Sequence, residues 1–329
     1  MRRVTATVLL AAWSLVAAAQ SADEGFYVGR DLSYIVATNA GGGYDAYARL
    51  IGPYLERHLP VAHVVIRNVP GAGHLVGANT LARSRPDGLT IGTFNAGLIY
   101  SQLAGNRALR VDIRNFAWIG KAAGEPRAIV MSTRCAIESI DDLLAATSPV
   151  IFAGAGIGSA SHAETRLLAE ALDLNVRIIP GYEGNETEMA MLRGEICGLV
   201  ASMSSMQSFV DAGNGRFILA IGGGRTELPV AMDYARDESG RRIVALIATM
   251  AELGRVSAAP PGTPSGRLEI LRAAYRAALE DTDFRREAQR RRRPIEPAYG
   301  DDVGALVASA LDQPPEIVAF IARLLSPQQ

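Results

Sequence analysis

Three glycine-rich segments constrain the fold more than any other feature, because each follows a strand-like run and leads into a helical one. They occupy residues 39–44, 70–74 and 154–159. Glycine permits tight turns and lets a ligand approach the backbone closely. The unpaired N–H groups at a helix start favour an anion. The pattern therefore predicts an α/β fold whose ligand contacts lie at strand-to-helix turns.

The alternation of strands and helices occurs twice along the chain. Short β-rich runs alternate with helical runs through the first hundred residues, and a second cycle begins near residue 128. This order is typical of a largely parallel α/β fold. Helical regions over residues 267–291 and 301–325 follow. We expect two lobes joined by more than one crossing of the chain, an arrangement that suits a cleft closing about hinges.

The composition is that of a globular protein of two domains. The chain has 329 residues, of which 20% are charged, and a formal net charge of −1. Neither a basic balance nor a basic stripe is present, so nucleic acid is not an expected partner. The run from Arg290 to Arg293 is interpreted as an exposed helix end, with a basic docking patch as the alternative.

The first twenty residues carry the pattern of a secretory signal peptide. Arg2 and Arg3 precede an apolar stretch over residues 4–19, which ends in three alanines. The alternative is an N-terminal membrane anchor, but the stretch is shorter than the ~20 apolar residues that a span needs. We therefore expect a signal peptide over residues 1–20, cleavage after it, and a periplasmic protein.

Two cysteines remain in the exported chain, Cys135 and Cys197. Export makes a disulfide between them permissible. Two separately buried thiols are the alternative, since sequence alone does not fix the distance between their Cα atoms.

Catalytic and metal-binding patterns are sparse. The four histidines form no zinc-ligand spacing, and neither a catalytic centre nor a metal site is expected. The segment 154–159 has the spacing of a dinucleotide fingerprint but lacks the acidic residue at the end of the next strand, so no cofactor is expected. An exported hydrolase using Ser159 and His162 is the alternative function, although no G-x-S-x-G motif surrounds either residue.

Several motifs in order resemble one family of receptors. They are GGGYDAYAR at residues 41–49, NVPGAGHLVGA at 68–78, PDGLT at 86–90, GIGSASH at 156–162, PGYEG at 180–184 and PGTP at 261–264. This set resembles the extracytoplasmic receptors of tripartite tricarboxylate transporters, also called the Bug family.

The resemblance implies a periplasmic-binding-protein fold of type II, with two α/β lobes around a cleft. Domain 1 would comprise residues 21–123 and 224–329, and domain 2 residues 124–223. The implied ligand is a small organic carboxylate, the implied partners are the permease subunits of the transporter, and the implied state is a monomer. A sensory receptor of the same fold, signalling to a membrane kinase, is a further alternative.

The resemblance also implies ligand-binding residues in both lobes. They are Asn39, Gly41, Gly42, Gly43, Tyr44, Asn95, Ala96, Ser159, Ser161, Tyr182 and Ser202. Asp45 is expected to cap the helix that follows the first loop. Ala40, His74 and Gly181 depart from the family pattern and leave the identity of the acid open. The ring of Tyr44 either stacks on an aromatic acid or fills the cleft.

Overall fold

The computed structural model describes residues 23, 25–124, 126–222 and 227–325. The signal peptide expected over residues 1–20 lies outside this part of the chain. The described strands are β1 (Asp31–Val36), β2 (His63–Asn68), β3 (Thr90–Phe94), β4 (Ala117–Lys121), β5 (Arg127–Ser132), β6 (Val150–Gly154), β7 (Val176–Pro180), β8 (Gly198–Ser202), β9 (Gly215–Ile221), β10 (Val256–Ala259) and β11 (Ala298–Tyr299).

The α-helices of the same residues alternate with these strands. They are α1 (Gly43–His58), α2 (Leu75–Arg83), α3 (Gly97–Leu103), α4 (Ile140–Leu144), α5 (Ala160–Leu172), α6 (Asn185–Arg193), α7 (Met203–Asp211), α8 (Ala231–Tyr234), α9 (Glu238–Ala251), α10 (Ser265–Glu280), α11 (Thr282–Arg290), α12 (Gly300–Leu311) and α13 (Pro315–Leu325).

The first lobe is built on a sheet with the strand order β11-β4-β10-β3-β1-β2. β1 runs parallel to both β2 and β3. Tyr47, Ile51 and Leu55 recur every four residues along α1, so they share one face of that helix and are buried together. They form one core with residues of α10 such as Tyr275. This packing fixes the start of α1 at the carboxyl end of β1.

The second lobe is built on a sheet with the order β7-β6-β8-β5-β9. β6 runs parallel to β7 and β8. Leu167 and Ala171 of α5 share a hydrophobic core with Ile243 and Ile247 of α9. The start of α5 is thereby placed at the carboxyl end of β6, next to the third glycine-rich turn.

The chain passes between the sheets twice, after β4 and again between β9 and β10. The expected α/β fold with more than one crossing is confirmed, but the expectation of largely parallel sheets was wrong. β5 and β10, which receive the chain after each crossing, both run antiparallel to their neighbours. The chain enters each of these two strands from the other lobe and not from a preceding β-turn-α unit. Each strand therefore runs in the direction opposite to its neighbours in the sheet.

The division into domains stays a proposal. Between the two crossings, residues 127–221 supply every described strand of the second sheet. Helix α9 also packs on α5 of the second lobe. This contact favours a boundary near residue 252 rather than the 223 expected from the family pattern.

The two C-terminal helical regions are each interrupted. Asp281 breaks the first, because its side chain accepts the backbone N–H groups of Asp283 and Phe284 and caps α11. Residues 312–314 separate α12 from α13. Within the described ranges, no single helix has the length and hydropathy of a membrane span, and only the pair α12 and α13, bent by 82°, would qualify together.

Cys135 and Cys197 form a disulfide in the structure, with their Cα atoms 5.4 Å apart. Cys135 follows β5 and Cys197 precedes β8, and Met131 lies opposite Gly198 in the pairing of these strands. The bond therefore closes one end of the central strand pair of the second lobe.

Candidate functional site

A cavity of about 320 Å³ lies between the lobes, where the carboxyl ends of several strands face each other. The first lobe contributes the loop from Gly41 to Tyr44. The second contributes the turn from Tyr182 to Asn185 and the region around Ser202. Clefts at such strand ends are where open α/β sheets commonly bind ligands.

Three helices begin at this cavity without a side-chain cap. Gly42 precedes α1, Gly184 precedes α6 and Ser202 precedes α7, and no side chain at these three positions accepts a backbone N–H of its helix. All three residues line the cavity. Since a helix N-terminus carries partial positive charge, the starts of these helices favour an anion between the lobes.

Helix α5 starts differently. The side chain of Ser159 accepts the backbone N–H of His162 at 3.2 Å and caps the helix. Ser161, in the first turn, faces the cavity. Its hydroxyl accepts the backbone N–H of Ala155 at 3.1 Å. A hydroxyl can still donate when its oxygen accepts, so Ser161 can donate to a ligand.

Arg127, at the start of β5, brings positive charge to the cavity. Its Nε donates to Oε2 of Glu164 at 2.6 Å, and the two side chains are only 12% and 1% exposed. Burial raises the pKa of Glu164, and the adjacent guanidinium of Arg127 opposes that rise. Arg127 is thus held in position by a carboxylate behind it, while the residue itself lines the cavity.

Arg255 joins the two lobes beside the cavity. Its Nη2 donates to the hydroxyls of Ser202 at 3.1 Å and Ser205 at 2.9 Å. The guanidinium carbon lies 4.1 Å from the ring centre of Tyr44 and 4.8 Å from that of Tyr47. A guanidinium over an aromatic face is a favourable cation–π geometry. Tyr44 therefore supports Arg255 while it lines the cleft.

His74 is fully buried against the same ring. It lies edge-on to Tyr44, with 5.9 Å between ring centres, and its Nε2 is 3.4 Å from Nδ2 of Asn95. Burial, aided by the positive charges of Arg255 and Arg127, lowers the pKa of His74 to about 4. The imidazole is consequently neutral at pH 7.

Two glutamates face the cavity from the turn before α6 and from α6 itself. Burial raises the pKa of Glu183, which the backbone N–H of Asn39 partly opposes. Burial also raises the pKa of Glu188, and Arg293 opposes that rise. The lining thus contains charges of both signs.

Glycines allow the lobes to meet closely around the cavity. A methyl group on Gly42 would lie 3.3 Å from Cα of Gly184, across the cleft. A methyl group on Gly97 would lie 2.7 Å from the backbone nitrogen of Ala160. Since such contacts leave no space between the backbones, the structure represents a closed arrangement of the lobes.

No cluster of three or more metal-ligating His, Cys, Asp or Glu side chains occurs among the described residues. A second, larger depression of about 880 Å³ runs along α5 and β7 and is lined by charged side chains such as Arg166, Glu170 and Arg177. It has fewer of the features expected of an anion site, since the uncapped helix starts face the smaller interlobe cavity.

The sequence model of the tripartite tricarboxylate transporter family receptors matches residues 48–310. The chain belongs to this family. A UPF0065 protein of Agrobacterium vitis is 29% identical over 280 residues, which are 83% of this chain and 78% of that protein. The protein BugT of Bordetella pertussis is 25% identical over 77% of this chain and 74% of its own. The match to a UPF0065 protein of Pseudomonas sp. spans 62% of that relative.

Solved structures share the two-lobed fold of this receptor. The periplasmic binding protein BugD has a TM-score of 0.77 at 23% identity and covers 92% of the receptor and 100% of its own chain. MatC of Rhodopseudomonas palustris, solved with malate, has a TM-score of 0.73 at 19% identity, covering 90% of the receptor and 99% of MatC. An R. palustris protein solved with adipate has the same score and identity, and covers 90% and 98%.

Most of the expected ligand-binding residues of the receptor meet at the interlobe cavity. Those that line it are Gly41, Gly42, Gly43, Tyr44, Asn95, Ser161, Tyr182 and Ser202. Ala96 instead borders a space of about 10 Å³ behind it. Ser159 is fully buried beneath the start of α5, where it caps the helix. Asn39 reaches the site through its backbone N–H, which faces Glu183. Their roles toward a ligand stay predictions.

One expectation about charged residues was wrong, and another was incomplete. Asp45 does not cap α1: it lies inside the first turn, and its carboxylate accepts the N–H of Gly41, outside the helix, at 2.9 Å. The arginine run does form the exposed end of α11, as expected, but Arg292 also pairs with Asp211 of the second lobe and Arg293 donates to the carbonyl of Ser204 at 2.7 Å. The contacts of Arg292 and Arg293 join residues that are distant in sequence, so no local pattern predicts them.

The side chains of Ser159 and His162 do not form a nucleophile and base pair. The hydroxyl of Ser159 meets the backbone N–H of His162 and lies 3.3 Å from the hydroxyl of Ser161. His162 instead lines the separate depression along α5 and β7. Burial lowers the pKa of His162 to about 4. The geometry therefore disfavours the hydrolase alternative.

Sequence reasoning missed the charged residues of the cavity. Arg127 begins a strand, Glu183 follows the expected Tyr182, and Arg255 and Arg293 arrive from the C-terminal part of the chain. Only Glu183 carried a local signal, because it stands within the recognised turn at residues 180–184. Arg127 follows the first crossing into the second lobe, and Arg255 and Arg293 approach the cavity only when the chain returns to the first lobe.

Proposed function

We propose that this receptor captures a small organic carboxylate between its lobes and presents it to the membrane subunits of a tripartite tricarboxylate-type transporter. The observation that carries the proposal is the convergence of the starts of α1, α6 and α7, all without side-chain caps, on one cavity. Backbone N–H groups at such starts are donors suited to carboxylate oxygens.

The size and charge of the cavity support a small acid. A volume of about 320 Å³ lies at the lower end of the range for small-molecule sites. Arg127 adds a cation whose five N–H donors can serve both Glu164 and a ligand. The related structures solved with malate and adipate agree with this class of ligand.

Lobe closure follows from the same geometry. The ligand would touch α1 of the first lobe and α6 and α7 of the second, so it is held fully only when the lobes meet. A ligand that contacts both lobes has a higher affinity for the closed state and shifts the population toward it. We propose that the receptor works in this way as a periplasmic monomer and catalyses no reaction.

Calorimetry and thermal unfolding with a panel of mono-, di- and tricarboxylic acids and neutral sugars test the proposal. Ala201 lines the cavity from β8, so Ala201→Phe would fill it. The matched control is Ala212→Phe, at an exposed position of the same lobe.

At least one acid should raise the melting temperature of the wild type, since a ligand of the folded state stabilises it. That shift should disappear in Ala201→Phe and persist in Ala212→Phe. A shift with sugars but with no acid, or an acid shift that survives in Ala201→Phe, would contradict the proposal.

A further inference from the structure

Glu183 is the buried acidic residue of the cavity that the carboxylate proposal does not use. It lies in the turn between β7 and α6, directly before Gly184, and it lines the interlobe cavity. Its side chain is enclosed, since the residue is only 7% exposed. A carboxylate in this position must find hydrogen-bond donors, because an unpaired buried acceptor costs free energy.

The protein supplies Glu183 with too few donors. The backbone N–H of Asn39 faces the carboxylate, but Oε2 is buried without a hydrogen-bond partner. A carboxylate offers about four acceptor positions. One donor leaves most of them unused.

No positively charged group of the described residues is among the causes that shift the pKa of Glu183. Burial and the neighbouring Glu186 raise the pKa of Glu183. Only the backbone N–H of Asn39 lowers it, because that N–H favours the ionised carboxylate. The cations of the cavity act on other acids: Arg127 on Glu164, and Arg293 on Glu188. A ligand group placed beside Glu183 would therefore meet a hydrogen-bond acceptor and a negative electrostatic potential.

We infer that the ligand carries, besides its carboxylate, an amino group that donates to Glu183. This inference rests on the proposed function, because the carboxylate of the same ligand is assigned to the uncapped helix starts and Arg127. An ammonium group supplies up to three N–H donors and a compensating charge. The receptor would thus prefer amino acids over acids of the same skeleton without nitrogen.

Calorimetry at pH 7.5 with matched ligands tests the inference. Succinate, malate and aspartate differ only in the group on one carbon, and adipate and 2-aminoadipate form a longer pair. The wild type should bind at least one amino acid about tenfold or more tighter than its nitrogen-free partner, since hydrogen bonds to charged groups are among the stronger ones.

The variant Glu183→Gln keeps the shape of the side chain and removes its charge. It should weaken binding of the amino acid by about tenfold to a hundredfold and change binding of the nitrogen-free acid by less than about threefold. Glu183→Asp, which keeps the charge, should retain the preference. Glu195→Gln is the control, because Glu195 is an exposed residue of the same lobe paired with Arg193.

The outcomes separate the inference from the proposed function. If the wild type binds nitrogen-free acids as tightly as the amino acids, or if Glu183→Gln weakens both equally, the inference is overturned and the carboxylate proposal stands. If nitrogen-free acids bind more tightly as the pH falls toward 5, Glu183 acts as a protonated donor and the inference is likewise overturned. If neither class binds, both fail together.

Discussion

At the scale of single residues, the buried ion pair of Arg127 and Glu164 determines the charge at one wall of the interlobe cavity. Glu164 is fully buried, and burial raises its pKa, so its ionised form depends on Arg127. A buried pair contributes little net stability over apolar residues of similar size, but breaking it leaves an uncompensated group. The pair is therefore better explained by ligand recognition than by folding.

Replacing Arg127 alone should destabilise the receptor, whereas replacing both partners should cost less. We expect Arg127→Met to lower the free energy of unfolding by about 3 kcal/mol, and Arg127→Met with Glu164→Met to recover most of that loss. Both variants should bind acids at least about tenfold more weakly. Urea unfolding and calorimetry measure these effects. If the single variant were as stable as the wild type, or the double variant bound acids with unchanged affinity, this role of the ion pair would be wrong.

His74 makes the stability of the receptor depend on pH. Its folded pKa of about 4 lies below the ordinary value of 6.5, so the unfolded chain binds more protons between these values. The contribution is fully present above about pH 6.5 and is lost as the pH falls toward 4. Proton linkage from these two pKa values gives a loss of about 2 kcal/mol at pH 5.

The variant His74→Asn tests this dependence. Asn tolerates the left-handed backbone of this position, where φ is 81°. The drop in melting temperature between pH 7 and pH 5 should be smaller in His74→Asn than in the wild type. His63→Asn, at the exposed start of β2, should keep the wild-type drop. Equal drops in all three proteins would show that His74 is not the group responsible.

At the scale of elements, the sequence predicts the start of a helix well when the signal is local. The glycine-rich turns predicted the starts of α1 and α5 to within two residues. Eight of the ligand-binding residues that the family resemblance implies line the cavity. Strand direction was not predictable in this way. β5 and β10 are antiparallel to their neighbours because the chain reaches each of them from the other lobe, and no local sequence pattern predicts this.

The starts of α3 and α5 meet backbone to backbone, and we expect this contact to control closure. The methyl group of Gly97→Ala would lie 2.7 Å from the nitrogen of Ala160 and 2.9 Å from the carbonyl of Gly158. Backbone atoms cannot move aside cheaply, so the lobes should fail to close and affinity should fall about tenfold or more. Calorimetry, with X-ray scattering of the liganded protein, measures both.

The control for this substitution is Gly52→Ala within α1. Its methyl group would meet Ile66 at an ordinary 3.4 Å, and alanine favours a helix. This variant should bind like the wild type. Wild-type affinity and full compaction in Gly97→Ala would contradict the role of this contact in closure.

At the scale of the whole molecule, the lobes are linked by contacts that cross the cleft. Arg255 donates to Ser202 and Ser205, and Arg292 pairs with Asp211. The C-terminal part of the chain supplies both arginines, which explains why sequence reasoning did not predict these contacts between the lobes. The receptor therefore uses the returning chain both to complete the first sheet and to join the lobes.

The most direct test of carboxylate binding between the lobes is a crystal structure of the receptor with its tightest acid. We expect a ligand carboxylate within hydrogen-bond distance of Arg127 or of N–H groups at the starts of α1, α6 or α7, with the lobes closed. A ligand bound only in the depression along α5 and β7, or held in the cleft with its carboxylate toward solvent, would contradict it.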